Sequence, residues 1–186
     1  LGVTRKFGTI DDIDGNIYHT IKIGTQEWMV ENLKTTRYRN GDQILHITDN
    51  AQWNSLTTGA YSNYNNDQIT ASTYGRLYNY YSISDTRKLA PAGWHIPSKD
   101  EISTLHNFLG GLGDTTVGGK MKELGTAHWL NGNPGATNSS GFTGLPSGER
   151  AWNPSGSSLF SGIGTQGIWW SSSLNPQDPV QAYYYQ

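Results

Sequence analysis

Glycine interrupts this sequence too often for long helices or strands to form. Of the 186 residues, 23 are glycine, and Pro, Asn and Ser divide the remaining apolar segments into short pieces. Glycine and proline are the strongest local signals for turns and loops. We therefore predict an α+β fold with short twisted antiparallel strands, one or two helices and long ordered loops.

One helix has clear start and stop signals. Ser98 is followed three residues later by Glu101, which is the pattern of a capping box. Apolar residues then recur at three- and four-residue spacing before Gly110, at Ile102, Leu105, Phe108 and Leu109. We interpret Asp100 and Glu101 as residues that stabilise the start of this helix rather than as a catalytic pair.

The N-terminal part of the chain predicts a β-hairpin with Asp14 and Gly15 at its turn. Asp12, Asp14 and Asn16 also occupy the first, third and fifth positions of a calcium-binding EF-hand loop. That loop needs glycine where this sequence has Ile17. We therefore interpret the segment as a turn, and we expect no metal site there.

The remaining segments give weaker signals. Residues 40–73 are polar and weakly periodic, which predicts a long ordered loop or a binding loop. The aromatic run at residues 74–81 predicts a strand that leads into a short helix near Ser82, and the part after Leu112 predicts loops with short strands. No repeat or Pro-rich linker divides the chain, so we expect residues 1–186 to form a single domain.

Composition excludes several classes of protein. Thirteen Lys and Arg residues stand against 15 Asp and Glu residues, so the net charge of -2 predicts no nucleic-acid partner. No apolar run reaches the length of about 20 residues that a membrane span needs. Low charge together with 7 Trp and 11 Tyr is typical of extracellular, β-rich domains. We expect a secreted or cell-surface protein.

No motif predicts catalysis or a cofactor. Without cysteine the chain has no disulfide, thiolate nucleophile or Cys-ligated metal. Residues 162–167 match the glycine spacing of a dinucleotide-binding loop, but strand-like residues follow where a helix is required. Five histidines are scattered without metal-ligand spacing, at His19, His46, His95, His106 and His128. We expect no enzyme, no catalytic residues, no metal and no cofactor.

Four residues of the second half are candidates for ligand binding. Trp129, Asn131, Arg150 and Trp152 lie in segments that Gly, Asn and Pro interrupt, so we predict that they form an exposed contact face. Aromatic faces stack on sugars or proteins, and Asn and Arg bond to hydroxyl or carbonyl groups. The alternative is that Trp129 and Trp152 pack in the core.

Several segments together carry a resemblance to a known protein family. They are IGTQEWMVENLKTTRYRNGD (23–42), YGRLYNYYSI (74–83), LAPAGWHIPSKDE (89–101), GGKMKELGTAHW (118–129), ATNSSGFTGLPSGER (136–150) and WWSSS (169–173). In this order, over nearly the whole chain, they resemble the Fibrobacter succinogenes major paralogous domain. It implies a bacterial secreted or surface protein with a C-type-lectin-like fold, akin to that of formylglycine-generating enzymes, and with no assigned reaction.

The sequence departs from the patterns of that family and of its structural relatives. Ala90 stands where family members usually carry a cysteine, so the disulfide that the resemblance implies is absent. Formylglycine-generating enzymes need active-site cysteines, which excludes their oxidase chemistry here. Residues 177–179 have the wrong order for the calcium-dependent sugar site of lectins.

We therefore expect a non-enzymatic extracellular module, such as an adhesion domain, that binds a surface protein or a polysaccharide. One alternative is a structural subunit of an extracellular filament or appendage, which binds copies of itself. Another is an unrecognised carbohydrate-active enzyme, although no paired carboxylates indicate one.

The last residues predict an unpaired strand edge. Residues 180–185 are apolar and aromatic, and the family resemblance implies one further strand after them. The domain would then lack its final strand. We expect that either more chain follows Gln186 or another polypeptide donates a strand at residues 180–186.

Overall fold

The computed structural model of this chain describes residues 7–111, 113–130, 132–151, 159–175 and 178–185. Within these ranges the fold is α+β, with four small sheets and several short helices. The described residues form five α-helices rather than the predicted one or two, but only one of these five is longer than seven residues.

The strands pair in four groups. The first sheet contains β1 (Phe7–Asp11), β2 (Ile17–Ile23) and β3 (Gln26–Met29) in that order, all antiparallel. The second contains β4 (Leu45–His46), β5 (Ala60–Ser62) and β6 (Leu77–Tyr78). Two hairpins follow, which are β7 (Ser147–Ala151) with β8 (Leu159–Ile163) and β9 (Trp169–Asn175) with β10 (Asp178–Tyr185). The helices are α1 (Asn50–Ser55), α2 (Gln68–Tyr74), α3 (Tyr80–Ser84), α4 (Lys99–Leu109) and α5 (Val117–Met121).

The predicted N-terminal hairpin is confirmed as β1 and β2. The Asp12 carboxylate accepts hydrogen bonds from the backbone N–H groups of Asp14 and Asn16 at 2.9 and 3.0 Å, and from the Tyr18 hydroxyl at 2.6 Å. Only 6% of Asp12 is exposed. Its oxygens therefore hold the turn between β1 and β2 together.

The prediction of one long loop over residues 40–73 is wrong. This segment contains β4, α1, β5 and α2, and a 3-10 turn at Tyr64–Asn66. Asp49 and Asp67 cap α1 and α2, since each carboxylate accepts a backbone N–H of the first turn. Helices of six and seven residues are too short to give a readable hydrophobic period.

The strand and helix predicted near Ser82 are confirmed as β6 and α3. The capping box of α4 is confirmed as well. The backbone N–H of Glu101 donates to Ser98 Oγ at 3.2 Å, and the backbone N–H of Ser98 donates to Glu101 Oε2 at 2.8 Å. Ile102, Leu105 and Leu109 are buried, whereas Phe108 is 64% exposed and lies against the turn at Gly24.

The apolar core is divided into separate clusters. One lies between the first sheet and α4, with Ile21, Ile23 and Leu105 at its centre. Another surrounds Tyr38, Tyr61, Tyr78 and nearby aliphatic side chains. The division leaves space between the clusters, and the candidate site lies in that space. No helix in the described ranges is long and apolar enough to cross a membrane.

The predicted strand near the C-terminus is confirmed as β10, which pairs antiparallel with β9. Among the residues that the structure describes, β9 is the only strand hydrogen-bonded to β10. The edge prediction for residues 180–185 therefore agrees with the pairing of the described strands.

Candidate functional site

A large cleft opens between the first sheet, α4 and the C-terminal hairpins. Its volume is about 1570 Å³. This exceeds the roughly 300–1,000 Å³ of an ordinary small-molecule pocket. Aromatic side chains from distant parts of the chain line it, including Trp28, Trp94, Trp169, Trp170, Tyr74, Tyr80 and Tyr81.

One wall of the cleft is the edge of β3 and the segment after it. Every residue from 26 to 33 lines the cleft. Successive side chains of a strand point to opposite faces of its sheet, so a cavity over one face would be lined by alternate residues only. An unbroken run indicates that the cleft lies along the edge of the strand and meets its backbone.

The indoles of β9 are fixed by their ring nitrogens. Trp169 Nε1 donates to Asn32 Oδ1 at 2.9 Å, and Trp170 Nε1 donates to the backbone carbonyl of Tyr78 at 2.8 Å. The Tyr80 ring centroid is 6.4 Å from that of Trp170. Because the indole N–H groups already have partners, these half-buried rings offer the cleft apolar contact rather than donors.

Carboxylates lie around the cleft. Glu27 is exposed, and Glu31 is partly exposed beside His19, whose Nδ1 is 2.7 Å away. Glu101 Oε1 lies 2.8 Å from His95 Nε2. Burial acts to raise the pKa of Glu101, but hydrogen bonds from Ser98 and His95 outweigh it, and the net pKa lies below its usual value. Glu101 therefore carries a negative charge at neutral pH.

Of the four predicted contact residues, two are placed by the structure and neither is exposed. Trp129 is 5% exposed, and its Nε1 donates to the Gly144 carbonyl at 3.1 Å. Lys122 Nζ lies 4.3 Å from the centre of its ring. Arg150 is 7% exposed. The expectation of an exposed face is therefore wrong for both residues. Both are nevertheless among the residues that line the cleft. Asn131 and Trp152 lie outside the described residues.

Arg150 joins two distant segments instead. Its guanidinium donates to the backbone carbonyls of residues 47–49 at 2.6 to 3.2 Å and to Asn50 Oδ1 at 3.0 Å. The group lies between the rings of Trp53 and Phe160, 4.5 and 4.9 Å from their centres. Burial lowers the pKa of Arg150 to about 10, so it stays charged at neutral pH. It positions the segment between β4 and α1 against the β7–β8 hairpin.

Sequence reasoning missed the residues that define the cleft. Trp94 lies in a loop, and the sequence of β3 indicates only a third strand after the hairpin. Nothing in their local sequence shows that both face one cavity. The one available signal was the number of tryptophans, which does not reveal which of them share a surface.

Two other possible sites carry no recognisable chemistry. Residues 162–167 connect β8 to β9 as strand, turn and strand, without the helix that a dinucleotide phosphate needs. In the described part of the chain, no group of three or more His, Asp or Glu side chains is arranged to hold a metal ion.

Comparison with protein families found a match to the family described as the Fibrobacter succinogenes major domain, over residues 21–184. Comparison with curated proteins and with solved structures found no match. The expected likeness to C-type lectins therefore stays a prediction.

Proposed function

The chain belongs to the Fibrobacter succinogenes major domain family, and we propose that it is a non-catalytic module that binds a protein or polysaccharide partner in its aromatic cleft. The single observation that carries the proposal is the cleft itself, with a volume of about 1570 Å³ and an aromatic lining. Its partner is then an extended polymer rather than a metabolite, because a metabolite would leave most of this volume unfilled.

Composition supports a place for this module outside the cell or on its surface. Only 15% of residues are charged, whereas 12% are aromatic. Aromatic rings are rigid and amphipathic, which suits them to contact surfaces. A bacterial surface domain that adheres to a partner polymer uses such rings.

Trp94 is the residue to test. It is half-buried at the cleft and belongs to a loop whose backbone is already held, since Trp94 N–H donates to the Pro91 carbonyl and its own carbonyl accepts from Arg39. We expect Trp94→Ala to weaken partner binding about tenfold or more, as for aromatic residues at the centre of an interface. Glycan arrays and peptide libraries identify a partner. Isothermal titration calorimetry then measures the affinity of that partner for the unaltered protein and for the Trp94→Ala variant.

Phe108→Ala is the matched control. Phe108 is also an aromatic residue at the surface, but it does not line the cleft. The variant should bind as the unaltered protein does. Equal weakening by both substitutions, or no effect of Trp94→Ala, would place the partner elsewhere.

A second candidate function is that of a structural subunit that assembles into a filament or appendage. The observation that favours it is β10, which among the described strands pairs with β9 alone. An open edge accepts a strand from another chain. We expect concentration-dependent oligomers by light scattering and fibres by negative-stain microscopy. A protein that stays monomeric at millimolar concentration excludes this candidate.

A further inference from the structure

We infer that the occupant of the cleft is an extended polypeptide strand that pairs with the outer edge of β3 and carries alternating apolar and basic residues. This inference rests on the proposed binding function. It names the class of partner and the strand, β3, whose backbone recognises it. It is separate from the assembly candidate, which concerns β10.

The first argument is the exposure of a strand edge to the cleft. β3 pairs with β2 through residues 26–29 on one side. No described strand pairs with its other side, which faces the cleft as the unbroken lining by residues 26–33 shows. The outward N–H and C=O groups of an edge strand are suited to pair with an incoming strand.

The occupant that an open strand edge favours is a polypeptide. A polysaccharide stacks on aromatic rings but cannot continue a ladder of amide hydrogen bonds. β7 also lines the cleft, but Ser147, Gly148 and Arg150 are buried and the Gly148 N–H already donates to the Gln166 carbonyl. The edge that an incoming strand can pair with is therefore that of β3.

The third argument is charge. Of the charged residues that line the cleft, Glu27 and Glu31 lie on or next to β3 and Glu101 lies at the start of α4. The exposed cation beside them is Lys22, opposite Glu27 on β2, and it does not line the cleft. The interior wall is apolar and includes Trp28, Val30 and Trp169. An incoming strand presents alternate side chains to opposite directions. One set is then apolar and faces the interior, and the other is basic and faces the rim.

The probe is an eight-residue peptide of alternating valine and lysine. We expect it to slow amide hydrogen exchange of Glu27 and Met29 by about tenfold or more, because their N–H groups point away from β2 and each new ladder bond must open before exchange. Two matched peptides serve as controls. One has glutamate in place of lysine, and the other has N-methylated amides that cannot donate. Neither should protect β3.

A pair of charge variants tests the contact with the rim. Glu27→Gln removes one carboxylate while keeping an acceptor for Thr20 Oγ1, which donates to Glu27 at 2.5 Å. It should weaken binding of the valine–lysine peptide about twofold to fivefold, the range of exposed ion pairs. Asp11→Asn makes the same change on β1, at the opposite edge of the same sheet. It should have no effect.

The outcomes separate this inference from the proposed function. If the N-methylated peptide binds equally well, or if the valine–lysine peptide binds without protecting the amides of Glu27 and Met29, strand pairing is wrong. A polysaccharide that binds in a Trp94-dependent manner, with no binding of the peptide, overturns the inference and leaves the proposed function intact. If Trp94→Ala changes the binding of no partner, both are wrong.

Discussion

Replacing Arg150 with alanine is expected to lower the free energy of unfolding by about 3–5 kcal/mol. The guanidinium donates to three consecutive backbone carbonyls, residues 47–49, and to the Asn50 side chain. Without it the buried carbonyl of Ile47 loses its partner, which costs about 1–3 kcal/mol, and the part-buried acceptors of residues 48–50 lose theirs at a smaller cost because water can reach them. The rings of Trp53 and Phe160 would also lose the group that separates them. Urea denaturation followed by tryptophan fluorescence measures the loss.

Two variants identify the cause of that loss. Arg150→Lys keeps the charge but cannot reach four acceptors or stack as a plane, so its stability should fall between those of the alanine variant and the unaltered protein. Arg37→Ala removes an arginine whose side chain is 47% exposed and 3.3 Å from Asp14. It should cost at most about 1 kcal/mol. Equal effects of Arg37→Ala and Arg150→Ala would show that Arg150 is not an anchor.

The features that could be predicted from the sequence are those decided by a few neighbouring residues. The hairpin turn at Asp14 and Gly15 and the Ser98 cap each depend on contacts between residues a few positions apart. Such contacts need no information about the rest of the fold. The sequence therefore predicted both features, and for the Ser98 cap it also predicted the two residues that bond to each other. It did not predict that the Asp12 carboxylate would hold the turn.

Arg150 shows why the contact residues could not be predicted. Its hydrogen-bond partners lie about 100 positions earlier in the chain. An arginine in a segment interrupted by glycine is ordinarily exposed. Here Nη1 and Nη2 donate to the carbonyls of residues 47–49 and to Asn50 Oδ1, and the planar group fits between two rings, so burial is tolerated. Only the folded chain shows that arrangement.

The cleft has the same origin. Its walls come from β3, the Trp94 loop, β7 and β9, which are joined by tertiary packing and not by any shared local pattern. The hydrophobic period predicts which side chains face inward. It does not predict where a gap remains between two packed parts of the fold. A function that depends on this gap could therefore be proposed only from the structure.

Gly148→Ala is expected to destabilise the β7–β8 hairpin by about 2–5 kcal/mol. Gly148 has φ of +64°, a left-handed conformation that costs other residues roughly 1–2 kcal/mol. A Cβ there would also overlap the Ser161 carbonyl and lie 2.6 Å from the backbone nitrogen of Ile163. Those atoms belong to β8, whose register with β7 is fixed on both sides of the glycine. The overlap cannot be relieved by rotating a side chain.

Gly93→Ala separates the two contributions. Gly93 has φ of +81°, but a Cβ there would meet nothing within 4 Å. It should therefore cost only the conformational term of about 1–2 kcal/mol. Urea denaturation measures the free energy of unfolding of both variants. The additional loss in Gly148→Ala, compared with Gly93→Ala, is then due to the clash alone. If the two variants are equally stable, β7 moves away from β8 readily. β7 could not then form a rigid wall of the cleft.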